Sequence, residues 1–208
     1  MPRKERRAQA LAERKQRKKR RPDGAVYAWM AGLLQSPPGR VLEVGTGSAA
    51  GAAALASRGW HVVPIDAGAL LARGEYTGRP LDAVTCWLLD VREARPELLA
   101  KIRAMGLQTA DEGRLAVQTL VYRLADRVLR PGGVLQIVDR MNEPFGEALA
   151  AGVVRLQRAQ SSGTSLEFAS IDARPEGGGA YVSVQSRQSK NAGQGAPRKS
   201  PAMRAPAS

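Results

Sequence analysis

Between residues 40 and 139, short apolar runs alternate with segments of helical pattern. The strand-like runs are "RVLEVG", "WHVVPID", "LDAVTCWLL" and "GVLQIVD", and the third is almost continuously apolar, which is typical of parallel strands covered on both faces. Helical patterns occupy residues 24–35, 48–58, 94–105, 115–130 and 144–159. Strands that alternate with helices predict an α/β sandwich of three layers around a mostly parallel sheet.

The last third of the folded region has a different pattern. The alternating runs "SLEFASID" and "AYVSVQSR" are separated only by "ARPEGGG", which is too short for a helical crossover, so we expect an antiparallel pair. The segment Ala67–Pro80 is also too short to hold a further strand and helix with their loops. The predicted fold is therefore a three-layer α/β sandwich around a mostly parallel sheet, closed by an antiparallel pair.

The positive charge of the chain is concentrated at its two ends. Of the net +13, residues 1–21 supply +9 through eleven Lys or Arg and two Glu, and residues 187–208 supply +5. The sequence between them is therefore close to neutral, at about −1. This pattern predicts a basic flexible extension at 1–22, a folded domain at 23–187 and a disordered basic tail at 188–208.

Composition limits the partners and the compartment. Basic ends bind polyanions in a salt-dependent way, which favours contact with nucleic acid or the ribosome, although solubility or a coding bias toward arginine explains the same residues.

The basic start and the run "GAVYAWMAGLL" imitate a secretory signal, but "SPPG" follows where a cleavage site is needed. No apolar segment reaches the ~20 residues that span a bilayer. Cys86 is the single cysteine, so we expect a cytoplasmic protein with no internal disulfide. The sequence indicates no oligomeric state.

The stretch "VLEVGTGSAA", residues 41–50, places a carboxylate and two glycines at the end of the first strand. At the carboxyl edge of such a sheet the chain turns into a helix whose free N–H groups face a ligand. Gly45 and Gly47 let the backbone approach that ligand closely. Glu43 would repel a pyrophosphate but suits an amino group, and Asp66, which ends the second strand, can accept both hydroxyls of a ribose. The predicted ligand has an ammonium group and a ribose but no phosphate.

With these residues the sequence resembles the class I S-adenosylmethionine-dependent methyltransferases, over roughly residues 40–185. The stretches that carry the resemblance are "VLEVGTGSA", "VVPID", "LDAV" and "ADRVLRPGGVLQIVD", in that order. The resemblance implies S-adenosylmethionine as cofactor. Glu43, Gly45 and Gly47 match the family's first motif, with Ala49 where a third glycine is common, and Asp66 matches the acid that binds the ribose. The resemblance implies a Rossmann-like sandwich, but the family's third strand–helix unit has no full-length counterpart between this acid and "LDAV". We therefore expect this unit to be shortened or missing, which leaves a sheet of about six strands.

The residues predicted to bind the cofactor are Glu43, Gly45, Thr46, Gly47, Ser48, Asp66 and Trp87. The hydroxyl and N–H groups of Thr46 and Ser48 would face the methionine carboxylate, although both residues are also ordinary turn formers. Trp87 ends the third strand and is either a cofactor wall or part of the core. We expect a buried Cys86 to be inert, and His61 begins the second strand at the edge opposite the ligand.

The sequence identifies no catalytic base and no metal site. Asp90, Arg92 and Glu93 follow the third strand, and Asp139 and Arg140 follow the fourth, so each could reach a substrate or simply lie in a solvated loop. Methyl transfer to an unidentified acceptor is the leading hypothesis. A catalytically reduced module that binds nucleic acid through its ends stays open because of the short 67–80 segment. An NAD(P)-dependent oxidoreductase also stays open, because "GTGSAA" satisfies the dinucleotide pattern, although Glu43 opposes it.

Overall fold

The computed structural model describes residues 24–34, 37–45, 49–67, 69–70, 76, 78–88, 100, 103–104, 106–107 and 109–189. The predicted extension at 1–22, residues 190–208 of the predicted tail and most of the helix predicted at 94–105 lie outside these ranges. The elements, in chain order, are α1 (Gly24–Leu33), β1 (Arg40–Gly45), α2 (Ala49–Ala56), β2 (His61–Asp66), β3 (Leu81–Trp87), α3 (Ala110–Val128), β4 (Leu129–Met141), α4 (Glu147–Gln160), β5 (Leu166–Glu176) and β6 (Gly179–Gln188).

The strands form one mixed sheet of six strands in the order β2-β1-β3-β4-β6-β5. The pairs β1–β2, β1–β3 and β3–β4 are parallel, whereas β4–β6 and β5–β6 are antiparallel. Within the described ranges no strand lies between Asp66 and Leu81, and β2 is an edge strand of the sheet. The predicted six-stranded Rossmann-like sandwich with a closing antiparallel pair is therefore confirmed.

Each face of the sheet packs against helices through its own apolar layer. Because successive side chains of a strand point to opposite faces, Val41 packs with residues of α1 and α2, including Met30 and Leu55. Its neighbour Leu42 packs on the other face with residues of α3, including Tyr122. Together the two layers place the sheet in the middle of the molecule.

The helix predicted at 115–130 differs from α3 at both ends. α3 begins at Ala110, because Thr109 and Glu112 form a capping box in which each side chain accepts a hydrogen bond from the backbone N–H of the other. The helix ends at Val128, and "RPGG", predicted to be a break between helix and strand, lies within β4. There Gly132 has a φ of 80° and the register against β3 shifts, so this segment is an irregularity at the start of the strand.

The closing hairpin is tighter than "ARPEGGG" predicted. Strand β5 continues to Glu176 and β6 starts at Gly179, so the turn consists of Gly177 and Gly178 alone. These glycines have φ values of 52° and 84°. Two consecutive residues at positive φ are required by a two-residue hairpin turn of type I′.

One carboxylate ties together the amino ends of three strands. Asp82 Oδ2 accepts a hydrogen bond of 2.6 Å from the backbone N–H of Arg40, which opens β1. Its other oxygen lies 2.6 Å from Nη2 of Arg130 in β4. The edge formed by the amino ends of the parallel strands is therefore fixed by polar contacts. None of the helices in the described ranges is both long and apolar enough to cross a membrane.

Candidate functional site

The parallel strands bring the predicted ligand residues to one edge of the sheet. Strands β1, β2 and β3 end at Gly45, Asp66 and Trp87, and the register pairs Gly45 directly with Asp66. Glu43 lies two residues before the end of β1, opposite Thr85 of β3. Gly45 and the two carboxylates, which are more than twenty residues apart in sequence, therefore lie at the carboxyl edge, where open α/β sheets hold their ligands.

Glu43 is a nearly buried carboxyl group within this edge. The residue is 9% exposed, and its side chain points to the face that carries α1 and α2. Burial raises the pKa of the Glu43 carboxyl to about 7, because the charged form loses its hydration. A cationic group placed beside this carboxylate would restore favourable interactions for the charged form, whereas a phosphate would make its ionisation still less favourable.

Gly51 of α2 gives Glu43 the space it occupies. A Cβ at Gly51 would overlap Oε1 of Glu43 and would stand 3.4 Å from Cε3 of Trp87. Gly51 was not among the residues predicted from the sequence. A signal was present, because "AAGAAALA" contains a glycine in a run of alanines, where glycine costs about 1 kcal/mol of helix stability. Such a position is kept as glycine when a neighbour approaches closely.

Trp87 lies on the core side of the candidate site, on the same face of the sheet as Glu43. It is 6% exposed and belongs to the apolar layer under α1 and α2. Its Nε1 donates a hydrogen bond of 3.0 Å to Oε1 of Gln136 in β4. The indole therefore lies in the core, which is one of the two placements that the sequence left open, with Cε3 of the ring facing Gly51.

Thr85 adds a buried hydroxyl that sequence reasoning missed. Thr85 is fully buried and lies in register with Glu43. Its Oγ1 has no hydrogen-bond partner among the residues that the structure describes. A threonine in an otherwise apolar strand gives little signal, because threonine is common in strands.

Asp66 has a structural contact as well as a favourable position. Its Oδ1 accepts a hydrogen bond of 3.2 Å from the backbone N–H of Ala69, so it caps the turn that follows β2. Its pairing with Gly45 keeps the carboxylate next to the glycine turn. Thr46, Gly47 and Ser48, also predicted to bind the cofactor, lie outside the described residues.

Asp139 is held by α3. Arg114 Nη1 lies 2.5 Å from Asp139 Oδ2, and Gln118 Nε2 donates to the same oxygen at 2.8 Å. The pKa of Asp139 is raised, because the effect of burial exceeds the opposing effects of the Arg114 charge and the two hydrogen bonds. This carboxylate therefore anchors α3 to β4, which the sequence could not show because its partners lie 25 and 21 residues away.

Of the remaining candidates, Cys86 lies on the opposite face of the sheet from Glu43, and His61 lies at the opposite edge. Cys86 is buried in the layer under α3, and burial raises the pKa of its thiol, in agreement with the inert thiol expected from the sequence. His61 opens β2 at the opposite edge and is exposed. Asp90, Arg92 and Glu93 lie outside the described residues. Among the residues that are described, no group of His, Cys, Asp or Glu could hold a metal ion.

Solved structures with a similar fold include several methyltransferases. The 1,6-didemethyltoxoflavin-N1-methyltransferase of Burkholderia thailandensis, solved with S-adenosylhomocysteine, is 19% identical, with 80% of each chain covered and a TM-score of 0.47. The N-methyltransferase NodS of Bradyrhizobium japonicum is 12% identical, with 80% of this chain and 94% of that chain covered and a TM-score of 0.44. The cyclase SpnF is 14% identical, with 80% of each chain covered and a TM-score of 0.44.

No protein-family model matches the sequence, and no curated protein matches it significantly. The fold itself, a mixed sheet of six strands with helices on both faces, is Rossmann-like. A fold of this kind is compatible with more than one reaction, so the reaction has to be argued from the residues at the carboxyl edge.

Proposed function

We propose that this chain binds S-adenosylmethionine at the carboxyl edge of β1 and β2 and transfers its methyl group to an acceptor. The observation that carries the proposal is the registered set of Glu43, Gly45 and Asp66, in which one carboxyl is nearly buried beneath a helix glycine. Two carboxylates beside a glycine turn suit an ammonium group and a pair of ribose hydroxyls.

The residues present fit this cofactor in charge and in space. Glu43 would hold the ammonium group, because its buried carboxylate gains most from a cation. Asp66 would accept hydrogen bonds from the ribose, and the turn after Gly45 would hold the methionine carboxylate. The hydroxyl of Thr85 is a further polar group on the same face as Glu43. Trp87 would back Glu43 from the core and hold it in place.

The chain's contribution to the reaction is mainly positioning. When bound, S-adenosylmethionine supplies an electrophilic methyl on a sulfonium: the acceptor's lone pair bonds to it, the C–S electron pair stays on sulfur, and an acceptor proton goes to water. Because the electrophile is already activated, alignment of the acceptor lowers the barrier most. The buried residues around Glu43 also exclude water from the edge.

A nicotinamide-dependent oxidoreductase fits this edge poorly. Its pyrophosphate would lie at the turn after Gly45, next to a carboxyl group whose pKa burial already raises to about 7. Ionisation of Glu43 next to two phosphates would be strongly unfavourable. A module that has the fold but lacks catalysis would still bind the cofactor, so turnover separates it from the enzyme.

Calorimetry tests the proposal directly. S-adenosylhomocysteine and NADH would each be titrated into the wild-type chain, into Glu43→Gln, and into Glu167→Gln as a matched control on the exposed part of β5. We expect the wild-type chain and the control to bind S-adenosylhomocysteine and Glu43→Gln to bind at least ten times more weakly. Binding of NADH in place of S-adenosylhomocysteine, or equal affinity in Glu43→Gln, would refute the proposal.

A further inference from the structure

The carboxyl edge carries a second buried carboxyl group besides Glu43. Asp139 lies near the end of β4, one residue beyond Val138, which pairs with Trp87 at the end of β3. Two strand spacings separate β4 from β1, which is about 10 Å. On β3 between them, the pKa of the Cys86 thiol is raised by burial and also by the charges of Asp139 and Glu43. The two carboxyl groups therefore flank the end of β3.

The contacts of Asp139 are concentrated on one of its two oxygens. Nη1 of Arg114 and Nε2 of Gln118, both on α3, donate to Oδ2. Within the part of the chain that the structure describes, no residue donates a hydrogen bond to Oδ1. The side chain is 13% exposed. The two residues of α3 therefore orient the carboxyl group and leave Oδ1 for a ligand at the carboxyl edge.

Asp82 shows how a carboxylate with a structural role is used in the same sheet. It lies at the amino ends of the parallel strands and is buried to a similar extent, with 11% of its side chain exposed. One of its oxygens accepts a hydrogen bond from the backbone N–H of Arg40, and the other contacts Arg130. Both oxygens of Asp82 therefore have partners in the fold, whereas Asp139 directs both of its partners to Oδ2.

The backbone at the end of β3 turns a side chain away from Asp139. The backbone N–H of Leu88 donates a hydrogen bond of 2.8 Å to the carbonyl of Val138, so Leu88 continues the contact with β4. Alternation along the strand would direct its side chain to the face of α3, next to that of Asp139. Leu88 instead has a φ of 51° and packs against the apolar layer that contains Trp87. Its side chain therefore lies on the opposite face from Asp139.

This conformation is unfavourable for Leu88 itself. A residue with a Cβ is destabilised in the left-handed region, and among the described residues Leu88 alone adopts a positive φ without being glycine. Strained backbone of this kind is concentrated at binding and catalytic sites. The conformation of Leu88 and the one-sided contacts of Asp139 are independent observations. Both point to a ligand between the ends of β3 and β4, on the side of α3.

We infer that Asp139 is the catalytic base of the proposed methyl transfer, and that its Oδ1 accepts the proton of an acceptor bound there through an N–H or O–H group. This inference rests on the proposed function. As the acceptor's lone pair bonds to the methyl and the C–S electron pair stays on sulfur, the acceptor's proton moves to Oδ1 and from there to water. Amines, amides, ring N–H groups and hydroxyls fit such a site. A carboxylate or phosphate does not, because the charge of Asp139 would repel it.

The surroundings of Asp139 suit a base. Burial raises the pKa of its carboxyl group against the opposing effects of Arg114 and two hydrogen bonds, and the charge of Asp111 adds to the rise. A general base is most effective when its pKa approaches the working pH. Burial also raises the pKa of Cys86 and of Tyr122 nearby, so both stay neutral at pH 7. Asp111 is 74% exposed, which leaves Asp139 as the buried negative charge of this group.

Sinefungin provides a test that needs no acceptor. It carries an amino group at the place of the transferred methyl, whereas S-adenosylhomocysteine carries no group there. Calorimetry at pH 8 compares both ligands on the wild-type chain, on Asp139→Asn, and on Asp82→Asn as a control of matched burial. Because a nearby carboxylate attracts an ammonium group, we expect the wild-type chain and the control to bind sinefungin about ten times more tightly than S-adenosylhomocysteine. Asp139→Asn should bind the two ligands about equally.

The outcomes separate this inference from the proposed function. Equal affinities for the two ligands on the wild-type chain, or an unchanged preference for sinefungin in Asp139→Asn, would overturn the role of Asp139 alone. Failure of the wild-type chain to bind either ligand would refute the proposed function. Binding of S-adenosylhomocysteine shows that a variant is folded, and Asp139→Ser replaces Asp139→Asn if the latter does not fold.

Methyl transfer gives a second measurement. Tritium from methyl-labelled S-adenosylmethionine is followed into fractionated cell RNA, protein and metabolites. We expect Asp139→Asn to transfer about 100 times more slowly than the wild-type chain, with unchanged affinity for S-adenosylhomocysteine, and Asp82→Asn to transfer at the wild-type rate. A loss of rate in Asp139→Asn no greater than in Asp82→Asn would overturn the inference.

Discussion

The close approach of Glu43 to Gly51 predicts an unusual response to a common stabilising substitution. Replacing a helix glycine by alanine ordinarily stabilises the folded state by about 1 kcal/mol. At Gly51 the added methyl would overlap the Glu43 carboxyl oxygen, and such overpacking costs about 1–3 kcal/mol. We therefore expect Gly51→Ala to lower the free energy of unfolding by up to about 2 kcal/mol, instead of raising it.

A matched glycine and a double variant isolate the cause. Gly152 of α4 has room for a Cβ, since the nearest atom is Nη2 of Arg155 at 3.8 Å, so Gly152→Ala should stabilise by up to about 1 kcal/mol. In a Glu43→Ala background the overlap with Oε1 is removed, and the remaining neighbour, Trp87 Cε3 at 3.4 Å, is in ordinary contact. Gly51→Ala should then become stabilising, which gives a coupling of about 1–3 kcal/mol between positions 43 and 51.

Urea denaturation of the four proteins of this cycle measures the coupling, with Gly152→Ala alongside as the control. A constant m-value shows that midpoint shifts report stability. The reasoning would be refuted if Gly51→Ala stabilised the wild-type chain as much as Gly152→Ala does, because Glu43 would then not occupy the space that Gly51 leaves. The same cycle tests the candidate site, since a displaced carboxylate should also weaken binding of S-adenosylhomocysteine.

Three further predictions concern polar side chains whose burial or hydrogen bonds the structure defines. The pKa of Glu43 is raised from 4.5 to about 7, so its effect on stability is most favourable below pH 4.5 and is lost as pH rises through 7, by about 3 kcal/mol in all. Urea titrations from pH 4.5 to 8.5 should show this fall relative to Glu43→Gln, and parallel curves would contradict it. Asp82→Asn should cost about 1–3 kcal/mol, because a backbone N–H of β1 and a guanidinium of β4 lose a charged partner. Asp111→Asn, which removes an exposed ion pair of 3.8 Å, should cost less than about 1 kcal/mol, and equal losses would contradict the role of Asp82. Thr109→Ala should cost about 1 kcal/mol through loss of the cap of α3, measured as a lower midpoint in urea, whereas an unchanged midpoint would show that the cap is not needed.

The sheet and its closing pair could be predicted because their patterns are local. A strand followed by a helix implies a parallel neighbour, and two strands with a short connection imply an antiparallel one. The length of the segment between Asp66 and Leu81 likewise predicted that one strand–helix unit is shortened or missing there. The residues at which the elements begin and end were harder to predict than the elements themselves. The two-residue turn at Gly177 and Gly178 lies within a string of three glycines, any two of which could have formed it.

The candidate site was predictable in part. Glu43 and Asp66 were found because a charged residue at the end of an apolar strand is informative by itself. Thr85 and Gly51 were missed because each matters only through its distance from Glu43, which depends on strand register and on helix packing. The contacts of Asp139 with α3 were missed for the same reason. The sequence shows a carboxylate and its possible partners, but it does not show which of them meet in the fold.

The position of Glu43 in the sheet gives a reason why a ligand would bind at the carboxyl edge of β1. The register places Glu43, Thr85, Gln136 and Gln185 in one row across β1, β3, β4 and β6, so the face under α1 and α2 buries four polar side chains in succession. Polar groups buried in this way need partners.

The two glutamines of this row find their partners within the fold. The amide of Gln136 bonds the indole of Trp87 and the carbonyl of Met30. Nε2 of Gln185 donates to the carbonyl of Leu33 at 2.6 Å. These bonds also give hydrogen-bond donors to carbonyl groups in the last turn of α1, for which the helix itself provides no donor. This half of the row therefore fixes the helix on the sheet.

The other half of the row is arranged differently. Thr85 keeps a hydroxyl without a partner among the described residues, and Glu43 keeps a carboxyl group that burial drives toward neutrality. A ligand with an ammonium group would provide what both oxygens need: a positive charge and hydrogen-bond donors in a place where water is largely excluded. The sheet thus uses the polar side chains of β4 and β6 for its own stability, whereas those of β1 and β3 are the ones that the proposed cofactor would contact.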